Sequence, residues 1–438
     1  MDKKEILIST IGNTIEWFDL GIFIFMVPII GPKFFPQDAA ISSTIEALIV
    51  FAIGFLCRPV GGILFGYLGD TQGRAKTLRI SILMITLSTL SIGLIPSYEE
   101  IGVSASIIFI LLRLLQGLSI GGEYSGTMIY LAESASPKNR GFITSFAASG
   151  ANLGFLFATV IFMMMNCLWT AETINEWAWR IPFLIIGLPG SLIIFYRFQL
   201  PETVVYSALK SMHKLEQVPL LTAMKFAPLQ LIKILGLTCM SASFYYFFVL
   251  YITTYVEHYL GFSKDLALIF QSAVLVIMLF AIPVGAIFGD YYSRKKMMII
   301  TTSIMLLFIF PCYYLFQSQS LLLTALGIGI ATMISSFDQG NTLTAIVENC
   351  PENVRYSGIA FAYNLGNALF GSTIPLFATL LIEYISPIAP YYYLFFMTLI
   401  GLTTIMTLLS KNQSMSSVLS PDTLNSQDAP PSYAPQPD

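Results

Sequence analysis

"GGILFGYLGDTQGRAKTL", residues 61–78, and "IPVGAIFGDYYSRKKMM", residues 282–298, are two versions of one pattern. Each brings an apolar run with small residues to an aspartate, Asp70 or Asp290, and follows it three or four residues later with a cluster of bases that includes Arg74 or Arg294. A second pair sits at matching places: "LAESASPKNRG" at 131–141 and "IVENCPENVRYSG" at 346–358. Their glutamates, Glu133 and Glu348, are 215 positions apart, and so are Arg140 and Arg355. Two such pairs at corresponding helix ends predict duplicated halves, the architecture of carriers that work by alternating access.

Composition sets the medium in which the halves fold. Of 438 residues, 55% are hydrophobic and only 11% are charged, against roughly 25% charged in soluble domains. The chain therefore reads as an all-α integral membrane protein with lipid as its surroundings. A net charge of −3 gives no basic field, which argues against nucleic acid as a partner. The five cysteines stand singly in apolar segments and form no zinc-type cluster, so no metal is expected. "MDKKEILIST" runs into a full-length apolar segment without a small-residue cleavage site, and the first helix is expected to remain as an anchor.

Apolar stretches long enough to cross about 30 Å of hydrocarbon predict twelve helices. Six fall near 9–31, 43–69, 77–96, 103–133, 140–168 and 179–199, and six near 229–258, 265–290, 296–316, 321–349, 355–383 and 390–410. The expected units are a six-helix half over 1–200, a cytoplasmic linker over 201–228, a second six-helix half over 229–410 and a disordered tail over 411–438. Most Lys and Arg fall on one side of these spans, with Lys33, Arg180 and Lys264 on the other, which predicts that both termini are cytoplasmic.

The short repeated loop has a local reading. Gly61, Gly62 and Gly66 allow helix backbones to approach, and Asp70 beside Arg74 and Lys76 offers an ion pair at the cytoplasmic rim. Such a pair could latch one half to the other and release as they rock. The plain alternative is a tight turn with a positive anchor. For the copy around Asp290 and Arg294, where Ser293 replaces a glycine, both readings stand.

"GNTIEWFDLG" (12–21), "RPVGGILFGYLGDTQGRAKTL" (58–78), "RLLQGLSIGGEYSG" (113–126), "ESASPKNRG" (133–141), "WAWRIPF" (177–183) and "LPET" (200–203) occur in an order and spacing that resemble the metabolite:proton symporter branch of the major facilitator superfamily. The resemblance covers about 1–410 and implies a bacterial inner-membrane carrier of small organic acids or zwitterionic osmolytes, driven by the proton gradient, without a cofactor and monomeric. "IGLIPSYEEIG" and "GGEYSG" look most like the osmolyte carriers of proline and betaine. Two features depart from that subgroup: the tail has no coiled-coil pattern, and Arg113 stands where the osmolyte carriers have lysine and the organic-acid carriers more often arginine.

The buried charges then need roles. Glu16 and Asp19, three residues apart, share a helix face near the middle of the first span. Two close buried carboxylates repel, so one is expected to hold a proton near neutrality; the alternative is a permanent structural pairing. Arg113 lies at similar depth, and the resemblance implies that it lines the central cavity, binding a solute carboxylate or pairing with Asp19 when the cavity is empty. Arg58 reads as a fixed interhelical partner. Glu123 is a candidate inner proton site, with Tyr124 packing beside it or capping the path. Asp338, flanked by Gln339 and Asn341, would face Arg113 across the cavity. Phe244, Tyr245 and Tyr251 of "FYYFFVLYITTY" (244–255), with Trp17 and Phe18 opposite, could cage an ammonium group by cation–π attraction; dense aromatics more often simply pack. His213 and His258 read as solvated.

The expected function is proton-coupled import of a small zwitterionic or carboxylate solute such as proline or glycine betaine. The alternative substrate is a di- or tricarboxylate such as citrate, 2-oxoglutarate or a shikimate-like acid. A drug exporter fits the motifs less well. A transporter-derived sensor lacks a sizeable cytoplasmic module, and an enzyme lacks any nucleophile–base pair.

Overall fold

The computed structural model describes residues 2–36 and 43–408. The tail expected over 411–438 lies outside the described residues. The spans are Lys3–Phe34, Ser43–Gln72, Arg74–Leu94, Val103–Ser134, Arg140–Leu168 and Ile181–Arg197, then a second set beginning at Pro228–Tyr245 and continuing with Lys264–Phe288, Arg294–Gln317, Leu321–Glu348, Arg355–Phe370 and Ala389–Met406. We number them first to twelfth in this order.

Why these segments are helices follows from the solvent. In hydrocarbon every backbone N–H and C=O must be satisfied within the segment, and the helix does this locally. The first helix is buried on nearly every side from Ile8 to Val27, although it contains Glu16 and Asp19. It is therefore an interior element whose charges meet protein rather than lipid.

Two spans depart from a continuous helix. The seventh leaves α geometry at Tyr246, runs as wide π turns over Tyr246–Tyr251 and Tyr255–Tyr259, and carries the aromatic stretch on them. The eleventh stops at Phe370 and resumes at Ile374–Tyr384, where Pro375 can donate no backbone hydrogen bond to the preceding turn. The stretch between the sixth and seventh spans is not unstructured: it forms two short helices, Val204–Ser211 and Pro219–Phe226.

The two sets meet along two equivalent seams, the second helix against the eleventh and the fifth against the eighth. Gly66 shows how tight the first seam is. A Cβ there would sit 2.6 Å from the Ser357 Cα, so any side chain would force the backbones apart.

The tight turns after the second and eighth helices explain the one mismatch in the repeat. Gly73 has φ 116° and ψ 150°, a region open in practice only to glycine. Ser293 has φ 175°, extended backbone that any residue adopts. Gly73→Ala is therefore expected to cost about 1–3 kcal/mol, whereas Ser293→Ala costs little. Thermal unfolding in detergent checks this, and equal losses for the two variants would refute the conformational argument.

Candidate functional site

The first helix, fourth helix and fifth helix of one half and the seventh, tenth and eleventh of the other enclose a small cavity lined by Trp17, Tyr124, Ala148, Tyr245, Gln339, Tyr363 and Asn367. Four of these residues form an aromatic box. Trp17 meets Tyr245 edge-on at 5.3 Å and Tyr124 at 5.9 Å, and Tyr124 stacks on Tyr363 at 5.4 Å. The Trp17 Nε1, the Tyr245 hydroxyl and the Gln339 Oε1 are buried there without a hydrogen-bond partner. Buried polar groups normally have one, so the box presents unmet hydrogen-bonding capacity to whatever enters. Its free volume of ≈ 10 Å³ admits about one water, so the rings must part to admit a solute.

On the other face of the first helix, Asp19 is fully buried and held by three donors. Arg113 Nη1 lies 3.2 Å from its carboxylate, and Thr89 Oγ1 and Gln116 Nε2 donate at 2.8 Å. Arg113 also donates to Gln116 Oε1 at 2.7 Å and lies 3.7 Å from the centre of the Phe23 ring. The structure thus pairs Arg113 with Asp19 as expected but does not bring it to the box, nor to Asp338.

Glu16 is different. It is buried, and its Oε2 has no hydrogen-bond partner. The opposite charge acting on it most strongly is Arg58.

Arg58 donates from Nε to Asn364 Oδ1 at 3.4 Å and from Nη1 to the Tyr246 hydroxyl at 3.3 Å, while its Nη2 is unpartnered. It is a deep tie between the halves, but to neutral groups.

The rim is built twice. Asp70 accepts from the backbone N–H groups of Tyr356 and Ser357, at 3.1 and 2.9 Å, at the start of the eleventh helix. Asp290 accepts from those of Gly141 and Phe142, at 2.9 and 2.8 Å, at the start of the fifth. Each aspartate also pairs with the arginine four residues on, Arg74 or Arg294. Glu133 binds Arg74 at 3.3 Å and Arg355 at 2.9 Å; Glu348 binds Arg294 at 2.5 Å and Arg140 at 3.4 Å. Each aspartate caps a helix of the opposite half, where the partial positive charge of the helix end favours an anion. Lys76, expected beside Asp70, instead donates to Gln72. Glu202, outside the spans, receives the N–H groups of Arg74, Ala75 and Thr203, and burial pushes its carboxyl above the ordinary range despite them.

The family model described as Major Facilitator Superfamily matches residues 10–373 and 234–424. The chain belongs to the major facilitator superfamily. Among similar members, the proline/betaine transporter of Salmonella typhimurium is 32% identical over 92% of this chain and 82% of its own length. The glycine betaine/proline/ectoine/pipecolic acid transporter OusA of Dickeya dadantii is 33% identical over the same shares. Among solved structures, the proton:xylose symporter XylE superposes with a TM-score of 0.75 at 19% identity, covering 95% of this chain and 98% of that one, a likeness of fold. This superfamily member is thus a multi-pass membrane transporter of a solute and not an enzyme.

Among the described residues, ten apolar helical stretches are long enough to cross a membrane; one of them, Lys264–Gln317, is divided at Ser293 into two spans, and Ser43–Gln72 completes the superfamily's twelve. Other expected site residues land elsewhere. Glu123 is buried in a close ion pair with Arg197 and a short hydrogen bond from Ser81, so it does not line the box. Asp338 accepts from Thr301, Thr302 and Thr342 at 3.0–3.1 Å and lines a separate small cavity with Gln339 and Tyr245. Tyr251 packs on Phe247 and Tyr255, and Phe244 stacks on Phe248, so neither joins Trp17. Phe18 faces the apolar interior of the first half. Sequence reasoning missed Tyr363, Asn364 and Arg197. A polar patch "AYNLGN" (362–367) in an apolar span was the available signal for the first two; Arg197, at a helix end, looked like one more cytoplasmic base.

Proposed function

We propose that this transporter imports a zwitterionic osmolyte such as proline or glycine betaine together with a proton, by alternating access, across a bacterial inner membrane with both termini cytoplasmic. The observation that carries the reading is the aromatic box between the two halves. Electron-rich ring faces attract a desolvated ammonium by about 0.5–2 kcal/mol each, and the orphan N–H and O–H groups suit a carboxylate or carbonyl oxygen. The two similar bacterial carriers bear proline and betaine in their names.

Asp19 and Arg113 are the coupling pair in this reading, with Glu16 beside them. A proton on Asp19 dissolves the ion pair, while Gln116 and the Phe23 ring continue to hold the guanidinium. The doubled rim, with Asp70, Arg74, Glu133, Arg140, Asp290 and Arg294, is the inner gate, closed in this conformation. The units are a six-helix half to about 200, a linker to 228 and a second half to about 410.

Uptake into proteoliposomes under an inside-alkaline gradient tests the reading. Accumulation of labelled proline or glycine betaine that a protonophore abolishes is the expected result. Accumulation of citrate or 2-oxoglutarate alone would replace the osmolyte with an acid.

A further inference from the structure

Among the described residues, every buried arginine except Arg58 has a carboxylate partner: Arg74, Arg113, Arg140, Arg197, Arg294 and Arg355 all sit in ion pairs. Arg58 is 1% exposed, lies midway along the second helix, and has two long hydrogen bonds to neutral groups and the Phe55 ring 5.4 Å from its guanidinium. Glu16 is likewise a buried carboxylate without an ion pair in that set. An uncompensated charge inside a membrane protein is expensive and usually faces a cavity or a partner. Arg58 is such a charge, and its two hydrogen-bond partners both belong to the second set of helices.

Arg58 reaches the edge of the aromatic box through its hydrogen-bond partners. Tyr246, which accepts from Arg58, touches Tyr245 at 5.7 Å between ring centres, and the other acceptor, Asn364, is the chain neighbour of Tyr363.

We propose that Arg58 is the charged pole of the solute site: it takes the carboxylate of a zwitterion, and the ammonium rests among the rings of Trp17, Tyr124, Tyr245 and Tyr363. This rests on the zwitterion reading above and gives the carboxylate to Arg58 in place of Arg113.

Three features favour Arg58 over Arg113. Arg113 is already neutralised by Asp19 and covered by Phe23. The Arg58 bonds, at 3.3 and 3.4 Å, lie beyond the usual N–H···O range and give way to a carboxylate at little cost. Its unpartnered Nη2 leaves the planar fork able to bind two oxygens at once. A solute that draws Arg58 away also releases Asn364 and Tyr246, both in the second set of helices, so binding would loosen a tie between the halves.

Calorimetric titration of the purified full-length protein with glycine betaine and with choline tests the assignment, because choline keeps the quaternary ammonium and replaces the carboxylate with a hydroxyl. The native protein is expected to prefer glycine betaine by about 10- to 100-fold, the value of charge-assisted hydrogen bonds. Arg58→Gln is expected to bind the two about equally. Should Arg58→Gln fail to fold, Arg58→Lys retains the charge without the fork and is expected to show a reduced preference. An undiminished preference in either Arg58 variant would overturn the assignment. If the native protein itself does not bind glycine betaine, the zwitterion reading fails first, before any variant is measured.

Discussion

Asp19→Asn is expected to abolish accumulation of solute against a gradient while leaving downhill exchange partly intact. Asparagine copies the shape of a protonated aspartate and cannot release the proton, so the chemical cycle stops while the movement between orientations does not. The geometry sets a second expectation. Asp19 is the sole carboxylate in ion-pair contact with Arg113 among the described residues, and both are buried. Removing one partner of a buried pair leaves the other uncompensated, at about 3–5 kcal/mol. Asp19→Asn should therefore also lower thermal stability, less any part recovered from Gln116 and the Phe23 face. Combining it with Arg113→Gln removes both charges and should restore most of that stability. The double variant should still fail to concentrate solute. Counterflow and gradient-driven uptake measured side by side decide the matter: parallel loss of both in the single variant, with recovery of both in the double, would make the pair structural rather than coupling.

What the sequence could and could not show follows from which physical constraints are local. The repeat was readable because Asp70, Arg74, Glu133 and their counterparts must stand at helix ends to do their work, and a helix end is visible as an apolar run stopping. Their partners across the rim were not readable in detail. Nothing local says that Asp70 caps the eleventh helix and Asp290 the fifth, although the 215-residue spacing of Arg140 and Arg355 implied equivalent places. The pairing of Asp19 with Arg113 was legible from depth alone, since two opposite charges at one level in a membrane seek each other. Rotation about the helix axis was harder. Trp17, Tyr124 and Tyr245 do converge, whereas Tyr251, six residues beyond Tyr245, would point about 120° away even on a regular α-helix and packs on Phe247 and Tyr255 instead. Arg58 read as a fixed interhelical partner. It does bridge helices, but its neutral partners, which no periodicity reveals, are what leave its charge open.

The duplicated rim yields the second large effect. Asp70→Asn together with Asp290→Asn is expected to open the inner gate in the resting protein. Each carboxylate receives two backbone N–H groups at the start of a helix from the other half, and each also holds an arginine of its own half. Asparagine keeps the size but loses the charge that the helix end and the arginine both favour. A hydrogen bond to a charged group is worth about 1.5–3 kcal/mol, and the asparagine oxygen that still accepts one N–H argues for the lower figure. At about 1.4 kcal/mol per tenfold, each substitution should shift the ratio of closed to open forms by about tenfold, and two independent latches by about a hundredfold. The remaining bridges, Glu133 to Arg355 and Glu348 to Arg140, keep the halves from separating altogether. Spin labels at exposed Lys138 and Tyr291, placed after replacing the five native cysteines, report the gap directly. The parent should show one short distance, each single variant a minor longer one, and the double variant a predominantly longer one. A double variant with the parent's distance would mean that the aspartates merely terminate helices and that the gate is held elsewhere along the second–eleventh and fifth–eighth seams.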